Sequence, residues 1–226
     1  MNHSFVATGT RRQHGFTLLE LSVVLVIIGL IIGAVTIGQD VQRNASYQRV
    51  ASEFVQGWAI GYDTFATNNG IVIGDTPANP TGMVNAATGS PLCGDDLRGA
   101  MQAAGLHMPD GRAAGSETLA SYLDSNGLPQ QLEICFENVN WSVPGATVGT
   151  YVVRTRNVMT LTGLTPSLAK LLDNHFDGRV DARFGKFREQ SAAANTGTTS
   201  VAWSANEPAL DESQSPVMDA YLLMNE

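Results

Sequence analysis

Between Leu21 and Gln39 the chain carries no charged residue, and Leu, Val and Ile dominate, broken only by Ser22, Gly29, Gly33, Ala34, Thr36 and Gly38. As a helix rising about 1.5 Å per residue, such a run is about long enough to cross a hydrocarbon core. At Asp40 the pattern changes. Tyr47, Ala51, Phe54, Trp58, Tyr62 and Phe65 recur at three- and four-residue steps, with Gln42, Arg43, Arg49, Glu53, Gln56 and Asp63 between them, which is the spacing of an amphipathic helix. The two stretches predict one helix from about Phe16 to Thr67, on the order of 78 Å long. Its first half suits apolar surroundings; its second is the spine of a globular unit, with the aromatic stripe facing the core. Asn68-Asn69-Gly70 ends it, because Asn and Gly tolerate left-handed backbone angles.

From there to about Ser90 the chain is rich in Gly, Pro, Asn and Thr and reads as an extended loop. Asp95–Ala104 and Glu117–Leu123 predict short helices. Strands are predicted over Gln131–Val139, Thr150–Leu161 and Thr198–Ser204. The expected class is α+β: a long N-terminal helical spine, its hydrophobic half protruding, with a small antiparallel β-sheet head. The expected division is a basic leader (1–15), an apolar helix (16–39), an amphipathic helix of the head (40–67) and the globular remainder (68–226).

Charge orients this plan. Thirteen Lys and Arg against 21 Asp and Glu give −8, which opposes general attraction to phosphate backbones, so no direct nucleic-acid binding is expected. With 43% hydrophobic residues, the chain is not disordered throughout. Arg11, Arg12 and His14 precede the apolar run, so the positive-inside tendency leaves the first residues in the cytoplasm and everything after Asp40 outside. An ordinary secretory signal has a shorter apolar core and a small-residue cleavage site, which Gly33-Ala34 imitates loosely. Neither a signal nor a plain anchor explains Glu20. A carboxylate costs about 2.5–3.5 kcal/mol at the bilayer centre and less near the interface, so it either snorkels outward or is compensated by an opposite charge.

The string Gly15-Phe16-Thr17-Leu18-Leu19-Glu20-Leu21, followed by Ser22-Val23-Val24-Leu25-Val26-Ile27-Ile28-Gly29, resembles the leader junction of type IV prepilins and type II secretion pseudopilins. The resemblance covers about the first thirty residues after the junction. It implies a pilin-like fold, cleavage between Gly15 and Phe16 by a prepilin peptidase at the cytoplasmic face, and N-methylation of the new Phe16 amine. It also implies an inner-membrane assembly platform and, as partners, identical or related pilin subunits in a periplasmic or extracellular filament. Cleavage creates a positive amine, and Glu20 is the nearby charge of opposite sign, one helical turn away or within reach of a staggered neighbour. Many pilins carry a proline in this segment; here the first is Pro77, so any local melting falls to Gly29, Gly33 and Gly38, of which the first two have GxxxG spacing. A major pilin and a minor pilin or pseudopilin share these motifs, and a membrane-mounted adhesin is the rival from another class.

Cys93 and Cys135 are the only cysteines, without CxxC spacing or histidines at zinc-ligand distances. Outside the cytoplasm a disulfide is the natural reading, closing a loop of about 42 residues; two separate thiols are the alternative. Ala169-Lys170-Leu171-Leu172-Asp173-Asn174-His175-Phe176-Asp177-Gly178, then Gly185-Lys186, is similar to a short pattern in some prepilin-like proteins, departing at Phe176, where that pattern has a second Asp. Asp173, Asp177 and Asp181 have offsets like those of calcium-loop ligands, but His175 and Phe184 stand where oxygen ligands belong. Two readings stand: these carboxylates cap backbone amides, or they hold Ca2+ in another geometry. No cofactor is otherwise implied. GxSxG, HExxH and Walker sequences are absent, and the expectation is a protein that is not an enzyme.

Overall fold

The computed structural model describes residues 17–204, residue 212 and residues 217–225, without the side chains of residues 36, 37, 39 and 40. The expected cleavage junction Gly15/Phe16 lies outside the described residues. The chain has an α+β, pilin-like architecture: an N-terminal apolar helix, then further helices and a six-stranded antiparallel sheet among the described residues. By internal packing it divides into a unit ending at Gln42 and a unit from Arg43 to Glu226.

Helix α1 runs from Leu18 to Arg49, a π-helical stretch follows at Val50–Val55, and α2 covers Gln56–Asn69. The π geometry shows in the Gln56 amide, which donates to the carbonyl of Ala51, five residues back. Gly70, in the left-handed conformation at φ 69°, ends α2 and donates to the Ala66 carbonyl, so the Asn-Asn-Gly stop falls where the sequence places it. Every member of the aromatic stripe from Tyr47 to Phe65 is buried. Through the π stretch the buried face is two residues wide, with Val50 and Ala51, then Phe54 and Val55, all turned inward.

The sheet has the order β1 (Leu92–Cys93), β3 (Pro129–Pro144), β4 (Tyr151–Leu164), β6 (Met218–Leu223), β5 (Phe187–Glu189), with β2 (Leu119–Leu123) also paired to β3. Because side chains alternate across a strand, Leu132, Ile134 and Phe136 share a face with Met159, Leu161, Ala220 and Leu222. That face belongs to the same core as the helix stripe, and Phe136 meets the rings of Trp58 and Tyr62 at centroid distances of 6.2 and 5.0 Å. Helices α3 (Gly94–Ala103) and α4 (Pro166–Asp177) add Leu97, Met101, Leu168 and Leu172. Two core asparagines anchor the 71–91 loop. Asn157 accepts from the Val84 amide and the Asn138 amide group and donates to the Gly82 carbonyl, while Asn138 accepts from the Thr88 hydroxyl.

Two sequence expectations are corrected. Glu117–Leu123 is not a helix: Leu119–Leu123 pairs with β3 in the register Leu119↔Glu133, alternates inward and outward, and buries Ala120 and Tyr122. A seven-residue helix of about two turns is too short to offset its own nucleation cost, whereas an added strand gains a ready-made partner. Thr198–Ser204 is not a strand; the Val201 carbonyl accepts from Ala182, and the loop delivers the buried Trp203 indole to Asp173. The missed strands have plain reasons. β5 has only three residues, and in β6 the buried Tyr221 between the half-buried Asp219 and Leu223 blurs the two-residue alternation.

Candidate functional site

At the start of α1, Thr17 and Glu20 form a reciprocal cap. The Glu20 amide donates to Thr17 Oγ1 at 3.2 Å, and the Thr17 amide and hydroxyl donate to Glu20 Oε2 at 2.9 and 3.0 Å. Thr-x-x-Glu is the capping-box signature, so the signal was present in the sequence although Glu20 was read only through its charge. The arrangement satisfies amides that a helix start leaves without partners and sets a negative group against the positive end of the helix dipole. Beyond it, Leu18–Val35 has a mean hydropathy of 2.8, and none of the window is buried within the chain. By length and composition it is the one helix among the described residues able to cross a membrane. A Cβ added at Gly29 or Gly33 would meet nothing in the same chain within 4 Å.

The acidic pattern after Pro166 folds into a clasp. Asp177, the last residue of α4, accepts from the Lys186 and Phe187 amides, both at 2.8 Å. Gly185 makes this possible: its φ is 94°, and a Cβ there would lie 2.1 Å from Asp177 Oδ2. Asp173 is fully buried and accepts from the Asp181 amide at 2.7 Å and the Trp203 indole at 2.8 Å. Burial pushes its carboxyl up to about 6 against the pull of those two donors. Burial acts on Asp181 in the same direction, but the Ser200 hydroxyl and the amides of Arg183, Phe184 and Val201 outweigh it and hold Asp181 below the usual carboxylate range. The three side chains thus serve as backbone caps, and among the described residues no group of three or more His, Cys, Asp or Glu is arranged to hold a metal ion.

Cys93 and Cys135 are joined by a disulfide. They face each other in the β1–β3 register with Cα atoms 4.5 Å apart, the separation of a non-hydrogen-bonded antiparallel pair. The bond secures a strand of two residues to the long central strand.

Residues 10–36 match the prokaryotic N-terminal methylation motif, the leader signature of type IV prepilins and pseudopilins. The match supports a protein of the type IV pilin or pseudopilin class, and with the apolar helix it is consistent with a membrane-anchored precursor. It does not extend into the sheet-bearing unit. No curated protein and no solved structure matches the chain.

Proposed function

We propose that the chain is the precursor of a structural subunit in a type IV pilus-like filament. A prepilin peptidase cuts between Gly15 and Phe16, the Phe16 amine is methylated, and the apolar helix holds the subunit in the inner membrane. An assembly platform then packs it against identical or related subunits in a periplasmic or extracellular filament. The observation that carries this reading is the coincidence of the methylation motif at residues 10–36 with an apolar helix that the chain itself leaves uncovered. The role is structural rather than enzymatic, as the motif suggests. Gly29 and Gly33, where no Cβ projects from the helix surface, support close approach of a neighbouring helix.

In the filament the Glu20 carboxylate pairs with the Phe16 amine of an adjacent subunit, because either charge alone among apolar helices is costly. Mass analysis of the N-terminus in a sheared-filament fraction tests the proposal. The expected product begins at methylated Phe16; an intact Met1 in assembled material refutes it. The abundance of the chain in the same fraction distinguishes a major pilin, present as the bulk band, from a minor pilin or pseudopilin, present as a trace.

A further inference from the structure

Two features of the unit from Arg43 to Glu226 are not used by processing or by the membrane helix. The first is the tip of the β3–β4 hairpin. From Asn138 to Val153 there is no charged residue, in a chain that is strongly acidic elsewhere. Val148 is fully exposed, and Val152 and Val153 are 40% and 44% exposed. The tip is ordered by its own bonds: the Gly145 amide donates to the Thr150 carbonyl at 2.8 Å, and the Thr150 amide and hydroxyl both donate to the Thr147 carbonyl. It is a small, preformed, uncharged knob.

The second feature is a groove of about 610 Å³ floored by Val50 and Phe54 of the π-helical stretch and walled by the 107–112 loop and β2. π-helical turns occur disproportionately at functional positions. The wall is fixed, because Pro109 packs against Gly57 so closely that an added Cβ would lie 2.8 Å from its Cγ. Around the groove Arg49 and Arg112 balance Glu53 and Asp110, and Arg49 is paired to Glu53 at 2.7 Å. Its formal charge is therefore zero with His107 neutral.

We propose that the hairpin tip of one copy docks in this groove on the next copy; the inference rests on the filament reading above. Removal of Arg11 and Arg12 with the leader takes the net charge from −8 to −10, so copies of the mature chain carry like net charge and repel each other. An uncharged knob meeting a charge-balanced groove is a contact that escapes this repulsion and removes exposed valine surface from water. Knob and groove lie on different parts of the same chain, so within the proposed filament the contact is made head to tail, the heterologous arrangement that propagates along a helical array when its rotation does not close.

The test uses the full-length chain carrying Val148→Cys and Ser121→Cys, Ser121 being an exposed residue of the groove wall. Both native cysteines are already bonded to each other, so the added thiols have only one another as partners. Mild oxidation of sheared filaments is expected to give a ladder of covalent multimers with the double variant and none with Val148→Cys alone. Filaments that form normally without a ladder overturn the docking and leave the filament reading intact. Failure of the unmodified chain to form filaments overturns both. As a second readout, Val148→Asp should lower filament yield at least tenfold while the amount of mature protein and its native disulfide stay unchanged; wild-type yield counts against the docking.

Discussion

Thr17 and Glu20 show how one side chain serves two demands. In the single chain Glu20 completes a capping box with Thr17; in the proposed filament its charge meets a neighbour's amine. Gln separates the two, because its carbonyl oxygen still accepts from the Thr17 amide but carries no charge. Glu20→Gln and Glu20→Ala should both be inserted, cleaved and folded normally, yet yield few or no filaments by shearing. Wild-type yield from Glu20→Gln would show that the cap alone matters. Asp173 makes a second residue-scale prediction. Its carboxyl is raised in the folded state to about 6 from an ordinary value of 3.8, mainly by burial, so the native chain holds this proton more tightly than the unfolded one. The resulting stabilisation is complete below about pH 3.8 and is lost as pH rises through about 6, amounting to on the order of 2–3 kcal/mol. Asp173→Asn, neutral throughout, should therefore gain several degrees of Tm relative to wild type on going from about pH 4.5 to about pH 7.5. A Tm difference that does not vary with pH would remove Asp173 as the cause.

At the scale of elements, the short strand β1 has little pairing of its own: two residues in register with Phe136 and Cys135. The disulfide fixes that register and closes a loop with a sequence separation of 42, for which the chain-entropy argument gives roughly 4 kcal/mol. Replacing both Cys93 and Cys135 by Ala should lower Tm by roughly 8–16 °C in thermal melts, and a loss under about 2 °C would mean that hydrogen bonding alone holds β1. The clasp at the end of α4 is an element-scale feature too. Asp-Gly followed by Gly-Lys was legible as a pattern, but its meaning, a carboxylate reaching across to two amides beside a glycine that must lack a Cβ, appears only once α4 and β5 are brought together.

For the molecule as a whole, the proposed scheme makes assembly depend on processing at the Gly15/Phe16 junction. Gly15→Val should leave uncleaved precursor in the membrane fraction, its mass higher by the retained leader, and no filaments on shearing; filaments built from that precursor would sink the proposed order of events. The N-terminal helices were legible in the sequence because their physics is one-dimensional. An uncharged apolar run, a basic flank, a single carboxylate and an i, i+3, i+4 aromatic stripe depend only on neighbours along one helix, and the stripe from Tyr47 to Phe65 is buried as its spacing implies. The long strands β3 and β4 were legible for a similar reason, since their alternation and β-branched residues declare them locally. Tertiary structure decided the rest. Leu119–Leu123 became a strand because β3 offered it a partner; Thr198–Ser204 turned inward, burying Trp203 in the core and giving Asp173 its indole donor. Met218–Leu223 inserted between β4 and β5, where both of its edges are paired. Each of those outcomes depends on groups distant in sequence, whose pairing and burial energies outweigh the small local preferences a short segment can express.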